Sequence, residues 1–511
     1  MATTVPRLLQ VVSPATLEPV GSVPATDPAA VQEVVAEARL AQARWAESAY
    51  DERAALLGRV ANVVLDRFDE IAATVSAETG KPLVESAVTD LLPALDTLVW
   101  VGRNAGRTLR DEPVRAPLFL RHKQGRIAYE PLGVVAGLTP WNFPIGIPLG
   151  LAAAAVGAGN ALVLKPSELT PLSGEWVERV FAEAGAPAGL VRVVQGEADV
   201  GAALTSAHGI ARIVFTGSTE VGRRVAQAAA ERLVPVTLEL GGKDPMLVFA
   251  DADLERAVDG ALWASFVNCG QVCAGAERVY VERAIYEPFV EELVRHAGEL
   301  RPGEDVGPLI SERRRERVEE LVADALEHGA ELRAGGRRPE LELPGWFYEP
   351  TVLAGERGRA GAEEIFGPVV SVSYFDNERQ AVQQANDSPF ALGASVWTRD
   401  RERARRVARA LDAGSVWTND HAYSFASAGA AWGGRGRSGH GRTHSRHGLW
   451  ELSHVKYVDA DAGRVPAPWW FPYDDAVADG FRAVAELVYG RRPRGLLRAR
   501  GLAALARRYR R

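Results

Sequence analysis

Between residues 133 and 249, short apolar runs alternate with longer stretches of helical periodicity. The runs fall at 134–137, 161–164, 191–194, 212–215 and 236–238. Short, near-continuous apolar and β-branched runs suit strands buried on both faces of a parallel sheet. The helical stretches between them supply the crossovers of a βαβ array. A second array follows residue 273. There 278–281, 369–375, 394–397 and 415–418 read as strands, and 286–300 and 313–327 as helices. The pattern predicts an α/β chain with no internal repeat. Residues 145–164 carry no charge and have the length of a membrane span. Gly146, Pro148, Gly150, Gly157, Gly159 and Asn160 interrupt that stretch. It therefore predicts a buried helix, a turn at Gly159-Asn160 and then a central strand.

In open α/β sheets, ligands bind beyond the carboxyl ends of the strands. Trp141-Asn142, Lys165 and Thr216-Gly217-Ser218 each fall just after a predicted strand, which makes them site candidates by topology alone. With 511 residues the prior is about three domains. The 47% hydrophobic content can fill a large core. The two cysteines, Cys269 and Cys273, exclude a disulfide framework and point to a reducing compartment. They are too few for a closed zinc site, and no histidine lies near them in sequence. Residues 1–14 lack the basic-then-apolar pattern of a secretory signal, so the expected location is cytoplasmic.

Cys273 stands in Asn268-Cys269-Gly270-Gln271-Val272-Cys273, and Glu239 in Leu238-Glu239-Leu240-Gly241-Gly242-Lys243. A thiol among small residues and a carboxylate on a glycine turn can make a nucleophile and a base. Together with Thr139-Pro140-Trp141-Asn142-Phe143-Pro144 and Glu364-Ile365-Phe366-Gly367-Pro368, these motifs resemble the NAD(P)-dependent aldehyde dehydrogenase superfamily. The resemblance runs from about Ser13 to about Tyr457. Any one motif is weak, whereas the collinear set is specific.

The resemblance implies an aldehyde dehydrogenase-like fold. A Rossmann-type parallel-sheet cofactor domain would comprise 1–112 and 132–240, and an α/β catalytic domain 241–430. A β-arm for oligomerisation would comprise 113–131 and 443–460, with candidate strands at 121–129 and 454–458. An aromatic and basic extension, 461–511, would follow. The resemblance also implies a homodimer or homotetramer. Cys273 becomes the nucleophile, acting through a thiohemiacetal and a thioester. Cys269 becomes a packing residue, or else a reversible disulfide partner. Glu239 becomes the general base for thioester hydrolysis. Family members that pass the acyl group to coenzyme A generally lack this glutamate, so a free acid is the expected product. Asn142, with the Cys273 N–H, becomes the oxyanion donor.

For the cofactor, the resemblance places Lys165 and Glu168 at the adenosine ribose, and Glu364 and Phe366 at the nicotinamide ribose and ring. Ser218, after Thr216 and Gly217, would meet the pyrophosphate at a helix N-terminus. Trp141 would wall the cleft, and Thr139, Pro140, Ser167, Leu240 and Gly241 complete the set. A carboxylate at the ribose repels a 2′-phosphate, so NAD is expected, with NADP as the alternative. The 215–222 motif is neither G-x-G-x-x-G nor a Walker A loop, because Arg223-Arg224 follow Gly222. The loop 195–199 offers one glycine where the family often has two, and it is left out of the site.

The Gly-, Arg- and His-rich segment 428–448 could pass for a nucleic-acid-binding stretch. It overlies a glycine-rich loop of the family, with Trp432 where phenylalanine is usual, so an ordered loop and no nucleic-acid contact are expected. Neither 143–155 nor 263–274 contains Arg or Lys. Ile145, Ile147, Leu149, Trp263, Phe266 and Val267 are the expected walls, which predicts an uncharged aliphatic or aromatic aldehyde. The alternatives are a semialdehyde dehydrogenase of succinate-semialdehyde type and a non-catalytic binding protein on the same fold.

Formal net charge is −7, unevenly spread: residues 491–511 hold nine arginines and no acid, leaving −16 for residues 1–490. Before them lie the aromatic run 468–473 and a helical stripe of Val477, Phe481, Val484 and Val488. The stripe and aromatics read as packing on the protein's own body or a neighbouring subunit. Peripheral contact with an anionic membrane surface is the alternative.

Overall fold

The computed structural model of the chain describes residues 7–117, 120, 122–461, 463, 467–490 and 498–508. Two compact units emerge. The first comprises Met1–Leu109 and Glu130–His454, the second Arg110–Tyr129 and Val455–Arg511.

The first unit holds two large sheets, beside the two-stranded pairs Leu8–Val12 with Pro19–Pro24 and Phe390–Ala391 with Arg435–Gly436. One runs in the spatial order Gly439–His440, Val236–Glu239, Ile210–Thr216, Val134–Leu138, Ala161–Lys165, Val191–Val193. Its five longer strands are parallel, and only Gly439–His440 is antiparallel. From Val134–Leu138 the chain builds outward in one direction, then returns to build in the other. The switch point lies between Val134–Leu138 and Ile210–Thr216, where doubly wound sheets open a ligand crevice. Register sets Leu138 beside both Lys165 and Phe215, and Thr216 beside Glu239. The candidate residues after these strands therefore share one edge of the sheet.

The uncharged stretch resolves as expected from its punctuation. A helix, Gly146–Gly157, precedes Gly159 at φ +88°, and the strand Ala161–Lys165 is buried throughout. The Asn160 side chain accepts from the Gly133 N–H at 3.0 Å and donates to the Leu452 carbonyl at 2.8 Å. Among the described residues, no helix is long and apolar enough to cross a membrane.

The second sheet has the order Glu331–Ala334, Thr351–Ala354, Val369–Phe375, Ala276–Glu282, Asp244–Val248, Gly393–Trp397, Ser415–Thr418. Only Glu331–Ala334 is antiparallel. The segment 428–448 is an ordered loop that ends in the helix Ser445–Glu451.

In the second unit, Ser453–Ala460, Gln124–Pro131 and Glu112–Val114 form a three-stranded sheet in that order. The valine and phenylalanine stripe lies on the helix Asp475–Val488, which packs on Ala499–Arg508. Of the segments singled out in the sequence, residues 118, 119 and 121 of 113–131, and 462, 464–466, 491–497 and 509–511 of 461–511, lie outside the described residues.

Candidate active site

Cys273 follows a backbone turn of unusual shape. Asn268, Cys269 and Gly270 have φ of 53°, 57° and 66°, three successive left-handed residues that a regular helix cannot continue. Buried hydrogen bonds hold the turn. The Asn268 N–H donates to Glu85 at 3.1 Å, and the Gln271 side chain bonds Asn268, Pro308 and Ile310 at 2.9–3.3 Å. Cys269 is buried in the hydrophobic core beside the second sheet, whereas Cys273 is half-buried and faces empty space.

Asn142 is brought to the same place. Its side-chain NH₂ donates to the Gln271 carbonyl at 3.0 Å, and its own carbonyl accepts from Lys81 Nζ at 2.7 Å and from Asn268 at 3.1 Å. Lys81 also pairs with Asp90 at 3.0 Å, both side chains being almost wholly buried. Asp90 Oδ1 in turn accepts the N–H groups of Ile145 and Gly146, each at 3.0 Å. A buried ion pair thus anchors the loop that carries Asn142. Neither member was legible as a site residue, because a lone lysine after a glycine reads as surface.

Glu239 ends its strand 5% exposed, and neither carboxyl oxygen has a hydrogen-bond partner among the described residues. An unpaired buried carboxyl is a group prepared for something absent from the fold itself. Burial holds its pKa well above the usual carboxylate range, with Arg442 as the opposing charge. Burial, then the carboxylates Glu364, Asp244 and Glu239, push the Cys273 thiol up as well.

Glu364 accepts from the Gly242 N–H at 2.9 Å, and burial raises its pKa to about 8. A Cβ on Gly241 would lie 2.3 Å from Glu364 Oε2, and one on Gly242 would lie 2.1 Å from the Cys273 carbonyl. The glycine pair is what lets these segments meet. Glu277, paired with Lys243 at 2.7 Å, accepts the N–H groups of Ile365 and Phe366 and so fixes the Glu364–Phe366 stretch. Trp141 and Phe366 stand edge-on with centroids 5.6 Å apart.

One cleft is lined by Pro140, Trp141, Asn142, Thr216, Gly217, Ser218, Glu239, Leu240, Gly241, Cys273, Glu364 and Phe366. Arg314, which the sequence did not single out, joins them and donates to the Ile365 and Phe366 carbonyls at 3.0 and 3.2 Å. Thr139, Lys165, Ser167 and Glu168 do not line this cleft. They sit at the same sheet edge, with Lys165 Nζ 3.0 Å from Glu168. Ser218 caps the helix Thr219–Ala230, accepting from the Val221 N–H at 3.4 Å. This set fits a dinucleotide: a helix N-terminus for a pyrophosphate, a lysine and carboxylate for a ribose, and an aromatic pair for a flat ring.

A second cavity meets the first at Cys273, Glu239, Leu240, Thr216 and Ile147. Its walls correct the expected ones. Of the six anticipated apolar residues only Ile147 lines it. Ile145 and Leu149 are 1% exposed and lie on the other side of their helix, while Trp263 is 47% exposed. Trp100, Phe425, Trp432 and Leu151 form the wall instead. Charge also reaches the cavity, through Arg442 of the 428–448 loop and Glu451 at the end of the helix Ser445–Glu451. Glu451 is satisfied by an ion pair with Arg212.

Residues 2–458 match the sequence model of the aldehyde dehydrogenase family. A betaine aldehyde dehydrogenase of Mesorhizobium japonicum is 38% identical over 474 residues, covering 90% of this chain and 95% of that protein. Among solved structures, a betaine aldehyde dehydrogenase mutant from Staphylococcus aureus, in complex with NAD+ and with a BME-modified cysteine, aligns with TM-score 0.86 and 32% identity. That alignment covers 91% of this chain and 96% of the other. An NADP-dependent enzyme from E. coli aligns with TM-score 0.85 and 35% identity, over 89% and 95% of the two chains.

Proposed function

The chain belongs to the aldehyde dehydrogenase family, and we propose that it oxidises an uncharged, apolar aldehyde to the carboxylic acid with NAD as hydride acceptor. One observation carries this reading: a thiol and an unpaired buried carboxyl stand where a polar cleft suited to a dinucleotide meets a separate, aromatic-walled cavity.

Cys273 Sγ, as the thiolate left when the thiol proton passes to solvent water, adds to the aldehyde carbonyl carbon. The oxyanion that forms takes hydrogen bonds from the Cys273 N–H and the Asn142 side chain, whose NH₂ has a second hydrogen beyond the one given to Gln271. One such donor is worth about 10²–10³ in rate. Bound NAD supplies the acceptor for the aldehyde's hydride. The acyl group is then held as a thioester on Cys273. Glu239, unpaired and facing both cavities, takes a proton from water. The hydroxide adds to the thioester carbon, the C–S bond breaks and the acid leaves. Glu168 at the ribose position supports NAD over NADP, because a second anion there would be repelled.

The apolar choice is supported by Trp100, Ile147, Leu151, Phe425 and Trp432 in the cavity wall. A second reading, betaine aldehyde, is favoured by the relatives' names and by the same three aromatic rings, which could face a quaternary ammonium. NADH formation from hexanal, dodecanal, benzaldehyde, betaine aldehyde and succinic semialdehyde, with Cys273→Ala as control, separates them. The first three should exceed the last two in kcat/KM. The reverse order would overturn the apolar reading while keeping the chemistry.

The second unit supports two further proposals. Its three-stranded sheet fits a dimer or tetramer arm. Trp470, Phe471 and Tyr473 are 69%, 82% and 67% exposed. With the arginine-rich end of the chain they fit peripheral contact with an anionic lipid surface.

A further inference from the structure

The helix Gly146–Gly157 contains three glycines, and two of them are explained by packing. A Cβ on Gly157 would lie 2.3 Å from Val101 Cγ1, and one on Gly146 3.2 Å from the Thr89 carbonyl. Gly150 is different. A Cβ there would meet only Thr97, at an ordinary 3.8 Å, and its φ is not in the left-handed region. Glycine inside a helix raises the entropy cost of folding, yet neither the backbone nor a neighbour calls for it here. What lies beyond Gly150 is the second cavity, which that residue lines while being itself buried. Protein interiors are otherwise close-packed, so space kept open at an apolar buried position suits a ligand.

The direction of that space follows from which residues share which cavity. Ile147 lines both, as Cys273 does, whereas Gly150, Leu151 and Ala154 line only the second. Positions 147, 150, 151 and 154 form one face of the helix. From Ile147 to Ala154 that face runs roughly 10 Å along the axis. Opposite it stand Thr97, Trp100 and Val101 of the helix Leu92–Thr108.

We infer that Gly150 is a specificity-determining position: it admits an apolar aldehyde tail that passes Ile147 and continues between these two helices toward Val101 and Ala154. The substrate class is then aldehydes with a long unbranched or aryl-ended tail rather than those of two to four carbons. This rests on the proposed oxidation at Cys273.

The test compares kcat/KM for dodecanal and propanal in the wild type, Gly150→Ala and Gly150→Leu, at saturating NAD. The wild type should prefer dodecanal. The dodecanal-to-propanal ratio should fall about tenfold or more in Gly150→Leu, the loss of roughly two buried methylenes, chiefly through the dodecanal KM. Gly150→Ala, a favourable helix substitution, should lower the ratio in the same direction and decides the matter if the leucine variant does not fold. A wild type that prefers propanal, or a ratio that neither substitution lowers, overturns the inference. A wild type that forms NADH from no aldehyde defeats the oxidation reading itself.

Discussion

Lys81→Met should unfold more easily and turn over more slowly, and the structure sets the size of both effects. Lys81 Nζ lies 3.0 Å from Asp90 Oδ2, 2.7 Å from the Asn142 carbonyl and 4.8 Å from the Phe143 ring centroid. Its side chain is 1% exposed and that of Asp90 0%. Removing one partner of a buried pair typically costs about 3–5 kcal/mol, because the other charge stays buried. Asp90 keeps the Ile145 and Gly146 N–H groups, which moderates the loss. The net expectation is therefore about 3 kcal/mol, the low end of that range. The Asn142 carbonyl loses one of its two donors, so the loop that aims its amide loosens. A displacement of about 1 Å at such a loop costs on the order of 10²-fold in rate, and kcat should fall at least about tenfold, with a smaller change in the KM for NAD. The assay is urea unfolding at fixed protein concentration, because an oligomer's stability depends on it, alongside steady-state kinetics. Adding Asp90→Asn to Lys81→Met should recover part of the stability by removing the orphaned charge. A Lys81→Met protein within about 1 kcal/mol of wild type, with kcat within about twofold, would refute the reasoning, since a surface-like lysine behaves that way.

Glu168→Ser should raise the ratio of NADP to NAD kcat/KM by about tenfold, the effect of removing one half-exposed like charge beside a 2′-phosphate; competition kinetics with both cofactors would show it. Burial holds Glu239 protonated beyond the usual carboxylate range, and a base works only in its deprotonated form. Where deacylation limits turnover, kcat should therefore keep rising with pH above the usual carboxylate range, by up to about tenfold per unit below the pKa, and Glu239→Gln should flatten that limb; a rise that survives the substitution would assign it elsewhere. The full chain should co-sediment with vesicles rich in anionic phospholipid in a salt-sensitive way, and a chain ending at Gly490, or one with Trp470→Ala and Phe471→Ala, should do so less; equal sedimentation of all three would remove the lipid contact.

The parallel sheets were legible because both faces of their strands are buried, leaving apolar runs with sharp ends. Val369–Phe375 and Ser415–Thr418 begin and end where the pattern predicts. Cys273, Glu239 and Asn142 were legible through motifs. That they line one cleft follows from register and from the 268–270 turn, whose backbone shape no periodicity reveals. The substrate wall was not legible. It draws on helices and a loop more than 300 residues apart in sequence, from Trp100 to Trp432. The anticipated Ile145 and Leu149 are on the opposite face of the helix from Ile147, because helical spacing separates neighbours by about 100° per residue. The supporting pairs Lys81–Asp90 and Lys243–Glu277 escaped notice since charged residues are seldom fully buried unless paired, and the partners lie 9 and 34 positions apart.

The central claim is that Cys273 carries the acyl group and Glu239 releases it. Rapid mixing of enzyme, NAD and hexanal, followed by NADH absorbance, tests both halves. Wild type should turn over continuously. Glu239→Gln should form about one NADH per active site and then stall, as expected of a covalent intermediate whose hydrolysis is slowed, and Cys273→Ala should form none. NADH formation by Cys273→Ala, or undiminished steady turnover by Glu239→Gln, would contradict the account.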